Sequence, residues 1–243
     1  MSAEAALATG QLLLEAGEGG QAIESFRMAA RAGDPRGLTM LGRAAERGWG
    51  MGPDARQAAG WYRRAAAGGD PWAMFNLADL HLRGEGVPRD PAEAMRLYAD
   101  AARGGLLQAL NMLGVLAETG AAGPPDAGAA LTYYTASAEG GDPWGQFNLA
   151  RLLVAADRLP EALAWLDRAL GCHLSGFHAA VADALAEAPH PELRRRAARA
   201  RAQAAAPAAT AAQDRGTGRT PRRRSAGQGL PGCAPFAPIP GQD

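Results

Sequence analysis

Residue classes in this chain return every 36 residues, and that period restricts the fold more than any other feature. Asp54, Asp90 and Asp126 share the spacing. So do Leu41, Leu77, Leu113 and Leu149, and so do Phe26, Tyr62, Tyr98 and Tyr134. Ala58, Ala94 and Ala130 keep the same register. A period of about 20–50 residues is the signature of a repeat array, in which each copy is one supersecondary unit. The stretch Gly69 to Gly104 is the most complete copy. There Ala73, Leu77 and Leu80 lie on one helical face, and Ala94, Leu97, Tyr98 and Ala101 lie on another. Both follow the i, i+3, i+4, i+7 spacing of a buried stripe. One such hairpin cannot bury both faces alone, so the copies must stack.

The punctuation recurs on the same schedule. Asp34-Pro35, Asp70-Pro71 and Asp142-Pro143 read as starts of a first helix, here termed A. Asp caps the orphan N–H groups, and Pro suits the first helical position. Asp54, Asp90 and Asp126 read as caps of a second helix, B. Copies are expected at about 1–32, 33–68, 69–104, 105–140 and 141–171, followed by a helix over 174–187. Together they make a domain over 1–189. The third copy has Leu106-Leu107 in place of Asp-Pro and Ala122 where the second loop glycine belongs. The fourth has a loop four residues shorter.

Composition narrows the function. All 25 basic residues are Arg. Without Lys, neither a phosphate-binding Gly-x4-Gly-Lys-Ser/Thr loop nor a Ser-x2-Lys nucleophile can be assembled. Cys172, His173 and His178 are the one Cys/His cluster, and their spacing fits no standard zinc pattern. No catalytic set, metal site or cofactor is expected, and the chain is read as not an enzyme. No apolar run is long enough to span a membrane. The first twenty residues read as an amphipathic helix rather than a secretory leader. Two cysteines without a disulfide framework fit a reducing, cytoplasmic setting.

The string Ala73-x3-Leu77-Ala78-x2-His81-x2-Gly84-x-Gly86-Val87-x2-Asp90-x3-Ala94-x2-Leu97-Tyr98-x2-Ala101-Ala102-x2-Gly105 resembles the Sel1-like repeat, an α/α hairpin related to the tetratricopeptide repeat. Ala78 stands where Gly is usual, His81 where Tyr is usual and Leu97 where Trp is usual. The resemblance covers about residues 33–170. It implies an all-α fold: an α/α solenoid, coiled as a right-handed superhelix, with A helices lining a concave groove. It further implies an adaptor or scaffold that binds a peptide or protein segment. The chain lacks the cysteines of the disulfide-bearing secreted members.

If A helices line the groove, its exposed positions are Arg36, Thr39, Arg43 and Glu46, then Trp72, Phe75, Asp79 and Leu82. Gln108, Asn111, Val115 and Glu118 follow, and then Trp144, Phe147, Arg151 and Val154. Trp72, Phe75, Asp79, Asn111, Trp144, Phe147 and Arg151 are the candidate partner-binding residues, since aromatic and Arg side chains dominate binding energetics. The aromatics also fit packing between neighbouring A helices. Asn76 and Asn148 read as structural hydrogen-bonding groups, and His81 as a packed ring. Trp49 reads as packing over its loop glycines, with an exposed anchor as the other option.

Charge is asymmetric. Residues 1–189 carry 15 Arg against 22 Asp and Glu, and residues 190–243 carry 10 Arg against 3. Residues 190–206 are Arg- and Ala-rich and could be helical, with so little apolar face that an undocked helix would be marginal. Residues 207–243 read as a disordered basic tail. Across the two segments Arg194, Arg195, Arg196, Arg222, Arg223 and Arg224 form a basic cluster. The second functional reading is nucleic-acid or anionic-surface binding through that cluster. Arg runs with no partner, and docking onto the acidic body of the chain, are the other options.

Overall fold

The computed structural model describes residues 1–174 and 176–205. These residues form twelve α-helices and no strand. In chain order they are α1 (Ala3–Glu15), α2 (Gly19–Arg31), α3 (Pro35–Arg47), α4 (Ala55–Ala67), α5 (Pro71–Arg83) and α6 (Pro91–Arg103). Then come α7 (Leu107–Thr119), α8 (Ala127–Glu139), α9 (Pro143–Ala155), α10 (Leu159–Ala169), α11 (Phe177–Leu185) and α12 (Pro191–Ala205). The fold is an all-α solenoid of helical hairpins. It divides into two compact units, Met1–Gly145 and the residues from Gln146 onward. The tail over 207–243, with Arg222, Arg223 and Arg224, lies outside the described residues.

In the first unit each helix from α1 to α7 packs on the next, and α3 also meets α1 and α5. The repeated aspartates set the helix starts. Asp54, Asp90 and Asp126 accept the N–H groups of Gln57, Glu93 and Ala129 at 2.9, 3.0 and 2.9 Å. Each satisfies one of the four donors that a helix N-terminus leaves unpaired. Asp70 does different work. It accepts the Thr39 hydroxyl from α3, so the start of α5 is tied to the preceding copy. Asp142 accepts the Ser137 hydroxyl at 3.1 Å and the Gly145 N–H at 2.7 Å, and burial raises its pKa.

The core is built from one large ring per hairpin set against a small residue. Phe26, Tyr62, Tyr98 and Tyr134 are fully buried. A β-carbon placed on Gly10, Gly42 or Gly114 would stand only 2.7, 2.6 or 2.6 Å from Cδ1 of Phe26, Tyr62 or Tyr134. The equivalent position in the middle copy is Ala78, also buried. Its methyl group occupies the space that the neighbouring copies leave for the ring.

The loops make a second contact between copies. Gly50 and Gly86 take φ of 67° and 70°. A β-carbon on either would meet backbone of an earlier hairpin, Gly20 N at 2.6 Å and Arg56 N at 2.5 Å respectively. Only glycine combines that φ with so close an approach. Ala122 holds this place in the third copy and does not adopt positive φ; Asp157 is the one non-glycine residue that does among those described.

In the second unit, Phe147 on α9 meets Phe177 on α11 edge to face, 6.5 Å between ring centroids. Helix α12 packs on α10 and α11. The expectation that this Arg/Ala segment has too little apolar face underrates its alanines. Leu193, Ala197 and Ala200, at i, i+4 and i+7, are all buried. Small residues give a shallow stripe that allows close helix approach. Polar contacts complete the docking: Gln203 Nε2 donates to the Leu170 carbonyl at 3.1 Å, and Arg196 donates to Asp167 at 2.7 Å.

Candidate functional site

The candidate residues lie on the A helices, and their environments depend on where the tyrosine of each B helix ends. Tyr62 on α4 donates to Glu46 on α3 at 2.7 Å. Tyr134 on α8 donates to Glu118 on α7 at 2.9 Å. Glu46 and Glu118 are 72 residues apart, two full periods, so one pairing serves the first and third copies. Between them, at the same register, stands Leu82, which cannot accept. The middle copy moves its acid one helical turn back, and Tyr98 donates to Asp79 instead. The same copy carries Ala78 in place of Gly42 and Gly114. In that copy the Tyr98 hydroxyl reaches the earlier turn.

Asp79 is therefore buried, at 5% exposure. Its Oδ1 accepts from Tyr98, while Oδ2 makes no hydrogen bond. The nearest cation, Arg83, stands 4.0 Å from Oδ2 because two other acids hold it: Glu46 at 2.8 Å and Glu85 at 3.0 Å. Burial outweighs the Tyr98 hydrogen bond and the Arg83 charge, and it raises the Asp79 carboxyl to a pKa of about 6. Burial together with the adjacent carboxylate holds the phenols of Tyr62 and Tyr98 protonated far above the ordinary range.

The expectation that the A-helix positions are exposed needs correcting at five places. Thr39, Phe75, Asp79, Asn111 and Phe147 are buried, at 3–5% exposure. Thr39 is engaged by Asp70, Asp79 by Tyr98, and Phe147 faces Phe177. Arg151 and Trp144 are half-buried. Trp72 differs from all of these, since its indole is 48% exposed. Its ring rests edge-on against Phe75 at 5.8 Å, and Phe75 rests edge-on against Tyr98 at 5.3 Å. The exposed indole thus tops an aromatic stack that ends on the Tyr98–Asp79 hydrogen bond.

His81 is half-buried and departs from the packed-ring expectation, its Nδ1 lying 3.3 Å from the Pro88 carbonyl in the loop. Trp49 is half-buried on the cluster of Ile23, Phe26 and Leu41, with two guanidiniums over its ring. Sequence reasoning missed Arg83, the cation shared by three acids. A signal existed in the register: Glu85 occupies the place that Trp49 holds one copy earlier.

The arginines of α12 are engaged within the chain. Arg194 donates to the carbonyls of Ala188 and Pro189 at 2.6 and 2.8 Å, and Arg195 pairs with Glu192 at 2.7 Å. Arg196 and Arg199 meet Asp167 at 2.7 and 3.3 Å. Among the described residues no group of His, Cys, Asp and Glu could hold a metal ion. No described helix is long and apolar enough to cross a membrane.

A sequence model of the Sel1 repeat matches residues 35–70, 73–106 and 107–142. Three Sel1 repeats occupy residues 35–142 of this chain. The matched segments run from α3 to α8 and hold the three Tyr–acid pairs, while Trp72 falls between the first two of them. A Sel1 repeat protein from Oxalobacter formigenes has a similar structure, with a TM-score of 0.70 at 24% identity over 82% of this chain and 87% of that one. A protective antigen of uropathogenic Escherichia coli with an SLR fold matches with a TM-score of 0.62 at 28% identity, over 76% of this chain. This chain spans only 41% of the length of that antigen. An immunity protein from Pseudomonas aeruginosa shares the fold, with a TM-score of 0.59 at 15% identity over 83% of this chain and 80% of that one. No curated protein matches the sequence. Sel1 repeats generally form scaffolds for protein–protein interaction and are typically non-catalytic.

Proposed function

We propose that this Sel1-repeat protein is a non-catalytic adaptor that binds a segment of a protein partner on the A-helix face of its repeats, with Trp72 as the anchor. The observation that carries this reading is the exposure of Trp72. A fully structural indole would be covered, whereas this one presents nearly half its surface and is held rigid from below by Phe75 and Tyr98. A large side chain whose rotamer is already restricted by packing loses little entropy on binding, which is why such residues act as hot spots. The buried Phe75 and Asp79 then support the anchor from beneath, and contact with the partner falls to Trp72. Trp144 occupies the equivalent register two copies later and is the second position to examine.

The test is affinity capture of partners by the full-length chain, compared with Trp72→Ala and with Trp72→Ala combined with Trp144→Ala. Loss of one or more specific partners on the first substitution, with the helical content unchanged, supports the reading. Retention of every wild-type partner by the double variant refutes it. The arginines of α12 give no comparable support for nucleic-acid binding, because Arg194, Arg195, Arg196 and Arg199 already have acceptors within the chain.

A further inference from the structure

We propose that Arg43, Arg47 and Trp49 form a recognition site for a carboxylate of the partner, so that the bound segment is acidic. The proposal builds on the reading of the A-helix face as the partner-binding face. Arg43 and Arg47 lie one turn apart on α3, and Trp49 follows in the loop to α4. The guanidinium carbons of Arg43 and Arg47 lie 5.4 and 5.7 Å from the centre of the Trp49 ring. The other polar contact of Arg43 is the thioether of Met40 at 3.8 Å. Neither guanidinium forms an ion pair with a carboxylate among the described residues. Two like charges thus share one aromatic ring with no anion between them. Burial, with Arg47 adding to it, lowers the Arg43 pKa.

The adjacent acid does not neutralise them. Glu46 accepts Tyr62 on Oε2 at 2.7 Å and Arg83 on Oε1 at 2.8 Å, which directs both oxygens toward other groups. Comparison with the next copy shows what is missing. There Arg83 stands at the register of Arg47, and Glu85, at the register of Trp49, pairs with it at 3.0 Å. The second copy supplies its own counter-ion, whereas the first has an indole in that place. The third copy has Thr119 and Ala121 at these positions and forms the same hairpin, so the fold does not require the Arg–Arg–Trp set. Residues 33–68 carry six Arg against three acids, while residues 69–140 carry four against nine. The positive charge is local to this copy.

A carboxylate fits the site because guanidinium forks bind it through two parallel hydrogen bonds and stack on aromatic faces. A nucleic-acid backbone needs cations that continue along a track. Along the A helices they do not continue: Arg36 is paired with Asp34 at 2.7 Å, and Arg83 is held by Glu46 and Glu85. Two free cations about one ring suit a single acidic side chain or a terminal carboxylate.

The test uses the full-length chain and a fluorescein-labelled octaglutamate peptide, with binding followed by anisotropy at low ionic strength. Saturable binding is expected, weakened about tenfold or more in the Arg43→Gln/Arg47→Gln variant, as for loss of a charge-assisted pair. Arg47→Gln alone, at an exposed side chain, should weaken it in the same direction without disturbing the half-buried Arg43. Arg63→Gln/Arg64→Gln removes equal charge from α4 and should leave binding unchanged. No binding, binding indifferent to Arg43 and Arg47, or an equal loss in the α4 variant overturns the proposal. Tighter, Arg43/Arg47-dependent binding of octathymidylate overturns it in favour of a phosphate ligand. A partner captured through Trp72 that binds the Arg43/Arg47 variant unchanged overturns this site and leaves the adaptor reading standing. Octaglutamate binding at Arg43 and Arg47 with no Trp72-dependent partner supports this site and overturns the Trp72 anchor.

Discussion

Replacing Asp79 with Asn should remove a pH dependence of stability whose size follows from the burial of that carboxyl. Its pKa rises from 3.8 to about 6 on folding, because burial outweighs the Tyr98 hydrogen bond and the Arg83 charge. At about 1.36 kcal/mol per pH unit this rise corresponds to about 3 kcal/mol. The folded-state value lies above the unfolded one, so the folded chain holds the proton more tightly. The contribution is fully present below about pH 3.8 and is lost as pH rises through about 6. Asn keeps an acceptor for Tyr98 and carries no charge at any pH. The stability of the wild-type chain relative to Asp79→Asn should therefore fall by about 3 kcal/mol between about pH 3.5 and 8.

Urea unfolding followed by circular dichroism at several pH values measures that difference, and other titrating groups cancel between the two chains. Equal m-values are required, since a repeat array can unfold from one end and break the comparison. A carboxyl-carbon NMR titration of Asp79 reads the same property directly. A stability difference independent of pH would refute the reasoning. A wild-type chain that gains on the variant with rising pH would do so too, by showing that Arg83 forms a true ion pair with Oδ2 and dominates burial.

Three further outcomes follow from the packing. Gly114→Ala places a β-carbon 2.5 Å from Cε1 of Tyr134 and should cost about 1–3 kcal/mol in thermal or urea unfolding. Ala78→Gly, in the copy that already accommodates the methyl group, should cost only about 1 kcal/mol through helix propensity. Leu193→Ala should remove about 2–5 kcal/mol of α12 docking. Hydrogen exchange should show faster opening of α11 and α12, with the protection of α3 to α8 unchanged.

The architecture was legible because each copy repeats its instructions. Asp before Pro, Asp before the B helix and glycine after the A helix recur in phase, and capping is local chemistry that needs no knowledge of the neighbours. The family resemblance was carried by the same residues. The site was less legible. Phe75, Asp79 and Asn111 fall at positions that helical spacing places toward the groove, and spacing alone cannot tell a covered position from an open one. The difference lies in side chains arriving from other helices. Tyr98 covers Asp79, and Asp70 engages Thr39 from 31 residues away. The docking of α12 was hidden for another reason. Its apolar stripe is mostly alanine, which hydropathy reads as weak and close helix packing uses well.

The 36-residue period by itself determined that this chain folds as α/α hairpins and which rings fill the cores of the repeats. Only the tertiary structure decided which A-helix residues reach the surface. A B-helix tyrosine must find an acid on its own A helix. Glu46 and Glu118 serve in the first and third copies, while Leu82 cannot in the copy between them, where Asp79 takes the role. Trp72 is left on the surface above the stack, and Arg43 and Arg47 remain without a counter-ion. Both outcomes depend on pairings between helices, which a residue's position within its repeat does not specify.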